Sequence, residues 1–331
     1  MQEGVDYREP PPLDPDAEDS LAGPEPTLNA EPELRCATVA VAQHGERLDK
    51  LLVTLAPEFS RSHLQQLLER GHVLVDGAAG GAASRRVRGG QRLQLELVPT
   101  DESRAFRPQP MALQILFEDE HLLVIDKPAG LVVHPAPGNW SGTLLNGLLA
   151  HHSAAAQLPR AGIVHRLDKD TSGVMMVGKS LAAVTALVRD IAARVVSRRY
   201  LALVHGVPLR AEFGIDAPIG RDPAVRVRMA VVASGKPART DVQLLASREG
   251  VAALRCTLHT GRTHQIRVHL ASQGHPLLAD ATYGGKPLLG MQRQALHAAE
   301  LSLAHPISRA ALAFLCAPPA DFQQAWQQVA G

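Results

Sequence analysis

Within six residues, His165-Arg166-Leu167-Asp168-Lys169-Asp170, the sequence sets two carboxylates among two cations and a histidine. Thr171-Ser172-Gly173 follow, and the chain then turns apolar from Val174 to Val177. An aspartate held among basic side chains keeps its negative charge, which suits a nucleophile better than a general acid. Two further groups could share such chemistry. Tyr200, one of only three tyrosines, follows Arg198 and Arg199, and Arg262 and Arg267 bracket the start of a later helical stretch. A blander reading has Asp168 and one of these arginines in an ion pair that only closes a loop. Spacing alone puts that reading ahead, and composition does not choose between Asp168 and Asp170.

Other chemistries lose support. The chain has 15 histidines, but none stands at ligand spacing. His264 and His269 are five apart, off a common helix face, with no glutamate placed as in a zinc-protease motif, so no metal site is expected. Gly-rich phosphate loops and a G-x-S-x-G elbow are also missing, which argues against hydride transfer, phosphoryl transfer from a nucleotide and serine hydrolysis.

The elements that must hold these residues follow from periodicity. The charged loop ends in Thr-Ser-Gly and feeds a buried strand, after which Ser180 caps a helix carrying Val184, Leu187, Val188 and Ile191 at helical spacing. Strands are expected at 113–119, 122–128, 197–206, 253–259, 295–298 and 311–315. Helices are expected from Leu144, from His264 to about Ser272, and from Asp321 to Val329. Strands outnumber helices and rarely alternate with them, which predicts an α+β fold with a mixed or antiparallel central sheet. Upstream, a short strand at 38–43, helices from Leu48 and from Ser60, and strands at 73–75 and 93–97 make a compact unit. Arg61, Arg85 and Arg86 could line one face of it, or simply be solvated. Residues 99–110, with three prolines, read as a linker.

Composition bounds the partners. The net charge is +1, yet residues 1–36 are acidic and Pro-rich, so the remainder is basic and compatible with a polyanion. That leader has too little apolar sequence to offset the entropy of ordering and is expected to be disordered. Three scattered cysteines without a C-x-x-C pair suit a reducing compartment. No signal peptide and no membrane-length apolar run are visible, so a soluble, cytoplasmic protein is expected.

His165-Arg166-Leu167-Asp168-Lys169-Asp170-Thr171-Ser172-Gly173 resembles the signature of the RluA/RluD family of pseudouridine synthases. Four more segments match that family in the same order: Asp126 to Pro135, Tyr200 to Gly206, Gly261 to His269 and Arg293 to Ala298. The unit near 45–105 resembles the S-four type of small RNA-binding domain. The resemblance implies three parts: an acidic leader at 1–36, an RNA-binding domain at 37–105 and a catalytic domain at 106–331. It implies isomerisation of uridine to pseudouridine in RNA without cofactor or metal. Asp168 would be the catalytic aspartate, Tyr200 would contact the flipped base, and Arg267 would pair with Asp168. Arg166 would replace the extruded uridine in the RNA helix, with His165 and Arg262 beside it in base flipping. Arg61, Arg85 and Arg86 would dock RNA. Arg199 stands directly before the tyrosine, where a lysine is usual, so the charge is kept. The combination is most like the RluD branch, whose substrate is large-subunit ribosomal RNA, free or in a pre-ribosomal particle; a monomer that touches no membrane is expected. The alternatives are a synthase for other ribosomal or transfer RNA uridines and a non-catalytic RNA-binding assembly factor.

Overall fold

The computed structural model describes residues 33–98, 105–136, 138–225 and 228–331. The described residues form two compact units, one ending at residue 98 and the other beginning at residue 105.

In the N-terminal unit, strands β1 (Glu33–Thr38), β2 (Val73–Val75), β3 (Ala78–Ala79) and β4 (Arg92–Leu97) form an antiparallel sheet in the order β1-β4-β2-β3. Helices α1 (Leu48–Leu55) and α2 (Arg61–Glu69) lie between β1 and β2 in the chain. Period-two burial in β4 and the helical leucines Leu48, Leu52, Leu64 and Leu67 build one core. The Ser60 hydroxyl caps α2 by accepting the His63 amide.

Two expectations need correction here. The strand expected at 38–43 lies earlier, at Glu33–Thr38, and Val41–Gln43 forms a single 3-10 turn. The strand therefore includes residues 33–36 of the expected disordered leader. Pairing with β4, from Glu33 opposite Leu97 to Thr38 opposite Arg92, supplies the backbone hydrogen bonds that composition cannot foretell. The rest of the leader, 1–32, lies outside the described residues, as do 99–104 of the expected linker.

The C-terminal unit runs β5 (Gln114–Glu118), β6 (Leu122–Lys127), α3 (Leu144–His151), β7 (Ser172–Gly178), α4 (Leu181–Ala192), β8 (Ser197–His205) and β9 (Glu212–Asp216). It continues through β10 (Ile219–Arg221), β11 (Met229–Val231), β12 (Arg239–Arg248), β13 (Val251–Leu258), α5 (Gln265–Ser272), β14 (Leu296–Ala304), β15 (Ala311–Leu315) and α6 (Ala320–Ala330). Nine strands form one sheet in the order β5-β6-β7-β14-β8-β13-β12-β9, with β15 on β14; β10 and β11 make a separate hairpin. Only the β7–β14 pairing in this sheet is parallel, so the sheet is mixed and the fold α+β, as the sequence predicts.

Every residue of β7 is buried, which is why its apolar run lacks alternation. Gly173 has φ +117°, and a methyl group there would sit 2.2 Å from the Ala298 carbonyl oxygen of β14. Glycine is required for the two strands to approach so closely. No helix among the described residues is long and apolar enough to cross a membrane.

Candidate active site

The charged loop ends where β7 begins, and its backbone is tied down from both sides. The Lys169 carbonyl accepts the Gly130 amide at 2.8 Å and the Lys127 ammonium at 3.0 Å. Lys127 is fully buried at the end of β6, and its Nζ also donates to the carbonyls of Pro128 (2.8 Å) and Leu131 (3.0 Å). Burial pulls its pKa down to about 8, with the charges of Asp168 and Asp170 opposing. On the other flank, Arg293 donates to the Asp170 carbonyl at 2.8 Å while it pairs with Asp321 through Nε and Nη2. Ser172 is held by His297. The His297 Nε2 donates to the Cys316 carbonyl (2.9 Å), so in the neutral ring Nδ1 accepts the Ser172 hydroxyl (3.0 Å).

So fixed, Asp168 projects its carboxylate toward α5, where Arg267 Nη1 donates to Oδ2 at 3.0 Å. The arginine is itself anchored: Nε and Nη2 donate to Asp280 Oδ2 and Oδ1 at 2.8 and 2.9 Å. Its guanidinium lies 5.1 Å from the Tyr283 ring centre. Burial opposes the charge on Arg267, but the Asp280 hydrogen bonds and the Asp168 and Asp280 charges outweigh it and hold the pKa above the ordinary arginine value. His264, in the left-handed region at the N-cap of α5, bridges two members of the site. Its Nδ1 lies 2.9 Å from the Tyr283 hydroxyl and its Nε2 3.9 Å from Asp168 Oδ1.

Tyr200 enters from β8, between Cys256 of β13 and Ala298 of β14. It is 5% exposed. Burial raises its pKa, with the positive charge of Arg198 opposing and Asp168 adding to the rise, so the phenol keeps its proton at neutral pH. Asp168 from the loop and Arg267 from the helix thus meet across 99 residues of chain, and the Asp168 charge reaches Tyr200 on its strand.

The remaining expected residues fall into distinct places. Arg166 is exposed, and burial first, then the Arg166 and Arg160 charges, pull His134 down to about 4. His165 accepts the Met176 amide on Nε2 at 3.0 Å, and burial followed by the Arg198 charge lowers it to about 3. Arg262 donates to the Pro237 carbonyl at 3.3 Å beside the start of α5. Arg61, Arg85 and Arg86 belong to the N-terminal unit. Arg61 pairs with the buried Asp49 at 2.7 Å, and Arg85 and Arg86 each donate one Nη1 to a backbone carbonyl, of Gly80 and Gly45. Arg199, directly before the tyrosine, lies on the opposite face of β8 and pairs with Glu300 at 3.0 Å. Period two in a strand puts Arg198, not Arg199, on the tyrosine's face.

Sequence reasoning also passed over Asp280, Tyr283, His264 and Lys127 as site residues. Asp280 carries no local signal, being one acid in an irregular segment. Tyr283 had one, since tyrosine is scarce in this chain, and so had Lys127, a lysine closing an otherwise apolar strand.

Comparison with known proteins gives these features a context. A family model described as RNA pseudouridylate synthase matches residues 121–272, and an S4 domain model matches residues 46–93. The chain is 50% identical over 272 residues to the ribosomal large subunit pseudouridine synthase D of Nitrosomonas europaea, covering 80% of this chain and 78% of that one. It is 43% identical over 299 residues to the protein of the same name from Pasteurella multocida, covering 86% and 92%. Among solved structures, human RNA pseudouridylate synthase domain containing 4 superposes with a TM-score of 0.50 at 26% identity, covering 65% of this chain and 93% of that one.

Proposed function

The chain belongs to the RluA/RluD family of RNA pseudouridine synthases, and from that premise we propose that it converts uridines of large-subunit ribosomal RNA to pseudouridine, with Asp168 acting at the sugar of a flipped-out nucleotide. The observation that carries this reading is the Asp168 carboxylate held at 3.0 Å by Arg267, in one site with the buried phenol of Tyr200.

The reaction breaks the bond from ribose C1′ to uracil N1, rotates the base and rejoins it through C5. The electron pair leaves with uracil, and the sugar is left cationic at C1′. A carboxylate beside that carbon stabilises or traps the cation, as in retaining glycosidases. Arg267 fixes the carboxylate geometry through one nitrogen while its other two are occupied by Asp280. After C5 has attacked C1′, its proton passes to water and N1 takes one up, so the step is an isomerisation overall; the Tyr200 phenol, which keeps its own proton, contacts the base at that stage. Taking the uridine out of its stack costs a few kcal/mol, which Arg166, exposed at the head of the loop, offsets by filling the gap, with His165 and Arg262 supporting.

We assign RNA docking to the unit at 37–105 through Arg61, Arg85 and Arg86, chiefly by phosphate contacts and shape, and chemistry to 106–331. Asp168 and Arg267 meet within one chain, so we propose that a monomer suffices for the chemistry. Ribosomal RNA as substrate and three free cysteines suit action in the cytoplasm.

The test is Asp168→Asn, which keeps shape and removes charge. The variant folds and binds large-subunit RNA with wild-type affinity, yet mapping of pseudouridines in an unmodified transcript finds none where the wild type forms them. Turnover within about tenfold of wild type would end this assignment, given losses of two or more decades when such groups are removed.

A further inference from the structure

Strand β8 brings a second buried cation to the site, and unlike Arg267 it has no carboxylate. Arg198 shares the Tyr200 face of the strand and is 5% exposed. It forms no ion pair among the described residues, and its Nε is buried without a hydrogen-bond partner. The guanidinium lies against the Gly261 backbone, where a methyl group would come within 3.0 Å of Nη1. His165 supplies a second such donor. Its Nε2 accepts the Met176 amide, so the neutral ring carries its proton on Nδ1, and that nitrogen too is buried with no partner. The Arg198 charge acts on both His165 and Tyr200, so the three belong to one neighbourhood. Leaving a buried donor unmade costs about 1–3 kcal/mol, more when it is charged. Two such donors without an acceptor, linked by the Arg198 charge that reaches His165, leave hydrogen-bonding capacity for an oxygen that the protein itself does not provide.

We propose that Arg198 is a catalytic residue whose guanidinium, assisted by the Nδ1–H of His165, receives the carbonyl oxygen on which the detached uracil carries its negative charge. The inference rests on the uridine-isomerase reading above. Heterolysis of the C1′–N1 bond delocalises the electron pair over N1 and the ring carbonyls, while C1′ passes to the Asp168 side. Arg198 remains protonated throughout and exchanges no proton; it strengthens its hold as charge develops and releases it when C5 attacks C1′. The charge of Arg267 is already matched by two carboxylates, which leaves Arg198 to answer the leaving base. A backbone phosphate is a poorer occupant, because it is tied to the strand on both sides, whereas a flipped base alone can reach past a buried tyrosine.

The experiment compares Arg198→Gln and Arg198→Lys with the wild type under single turnover at saturating enzyme. The two substrates are large-subunit RNA transcripts containing uridine or 5-fluorouridine. Fluorine withdraws charge from the ring, so the fluorinated base departs with less help. Arg198→Gln slows loss of uridine about 100-fold, in the range for removal of one charge-stabilising donor, and slows loss of 5-fluorouridine at least tenfold less. Arg198→Lys regains part of the uridine rate, with RNA affinity unchanged. Equal slowing on both substrates would reduce Arg198 to a structural role, and weaker RNA binding with an unchanged saturated rate would make it a phosphate contact; either overturns the proposal. Should the Gln variant unfold, the Lys variant carries the same comparison, since it keeps charge but loses the planar fork. Wild-type protein that consumes neither substrate would remove the isomerase premise, and this inference with it.

Discussion

Asp280 grips Arg267 with both carboxylate oxygens, at 2.8 Å to Nε and 2.9 Å to Nη2, and leaves only Nη1 to reach Asp168 at 3.0 Å. The side chains of Asp280 and Arg267 are 1% and 7% exposed, so little solvent screens the pair. The arrangement converts a flexible cation into an oriented single donor.

Asp280→Asn therefore disturbs both fold and chemistry. Removing one charge of a buried pair costs about 3–5 kcal/mol, and a loosened Arg267 no longer aligns Asp168. We expect a lower denaturant midpoint and a single-turnover rate reduced about tenfold or more, with RNA affinity retained. A rate equal to wild type would show that Asp280 does not position Arg267.

Arg166 is exposed and stands two residues before Asp168. If it fills the gap left by the flipped base, Arg166→Ala is active on a short single-stranded RNA, where no stack must be opened, and impaired on a folded stem-loop. Turnover assays on the two RNAs check this, and identical losses would dismiss the wedge.

Acid sensitivity has an identifiable origin. Burial holds His165 at about 3 and His134 at about 4, against an ordinary value of 6.5. Between those limits the unfolded chain binds more protons than the folded one, so stability is fully present above about 6.5 and declines as pH falls toward 3–4. His165→Gln keeps an acceptor for the Met176 amide and removes one titrating group. Urea midpoints measured from pH 7 to 5 should fall less steeply in that variant. A slope identical to wild type would assign the sensitivity elsewhere.

Gly173→Ala tests the contact of β7 with β14. The substitution meets φ +117° and a carbonyl oxygen at 2.2 Å, so strand pairing must shift. Together these cost about 3 kcal/mol or more, read as a lowered unfolding midpoint with activity lost alongside. Wild-type stability would mean that the strands part without penalty.

Much of this architecture was legible along the chain because its causes are local. The buried run Val174–Val177, the Ser180 cap, the leucine spacing of α1 and the strand at Tyr200 each follow from neighbours a few residues away. The face that Arg198 shares with Tyr200 emerged only with the strand itself, where Arg198 is buried and Arg199 exposed. The order of strands was not legible, nor was β1, whose residues look like acidic leader until β4 pairs with them. Asp280 had no sequence mark at all. Which carboxylate meets Arg267, and that Asp168 rather than Asp170 does so, depends on β14 inserting between β7 and β8 and on Arg267 of α5 reaching the loop that precedes β7. Contacts between residues about a hundred positions apart carry no periodic trace, because the free energy that selects them comes from packing the whole sheet.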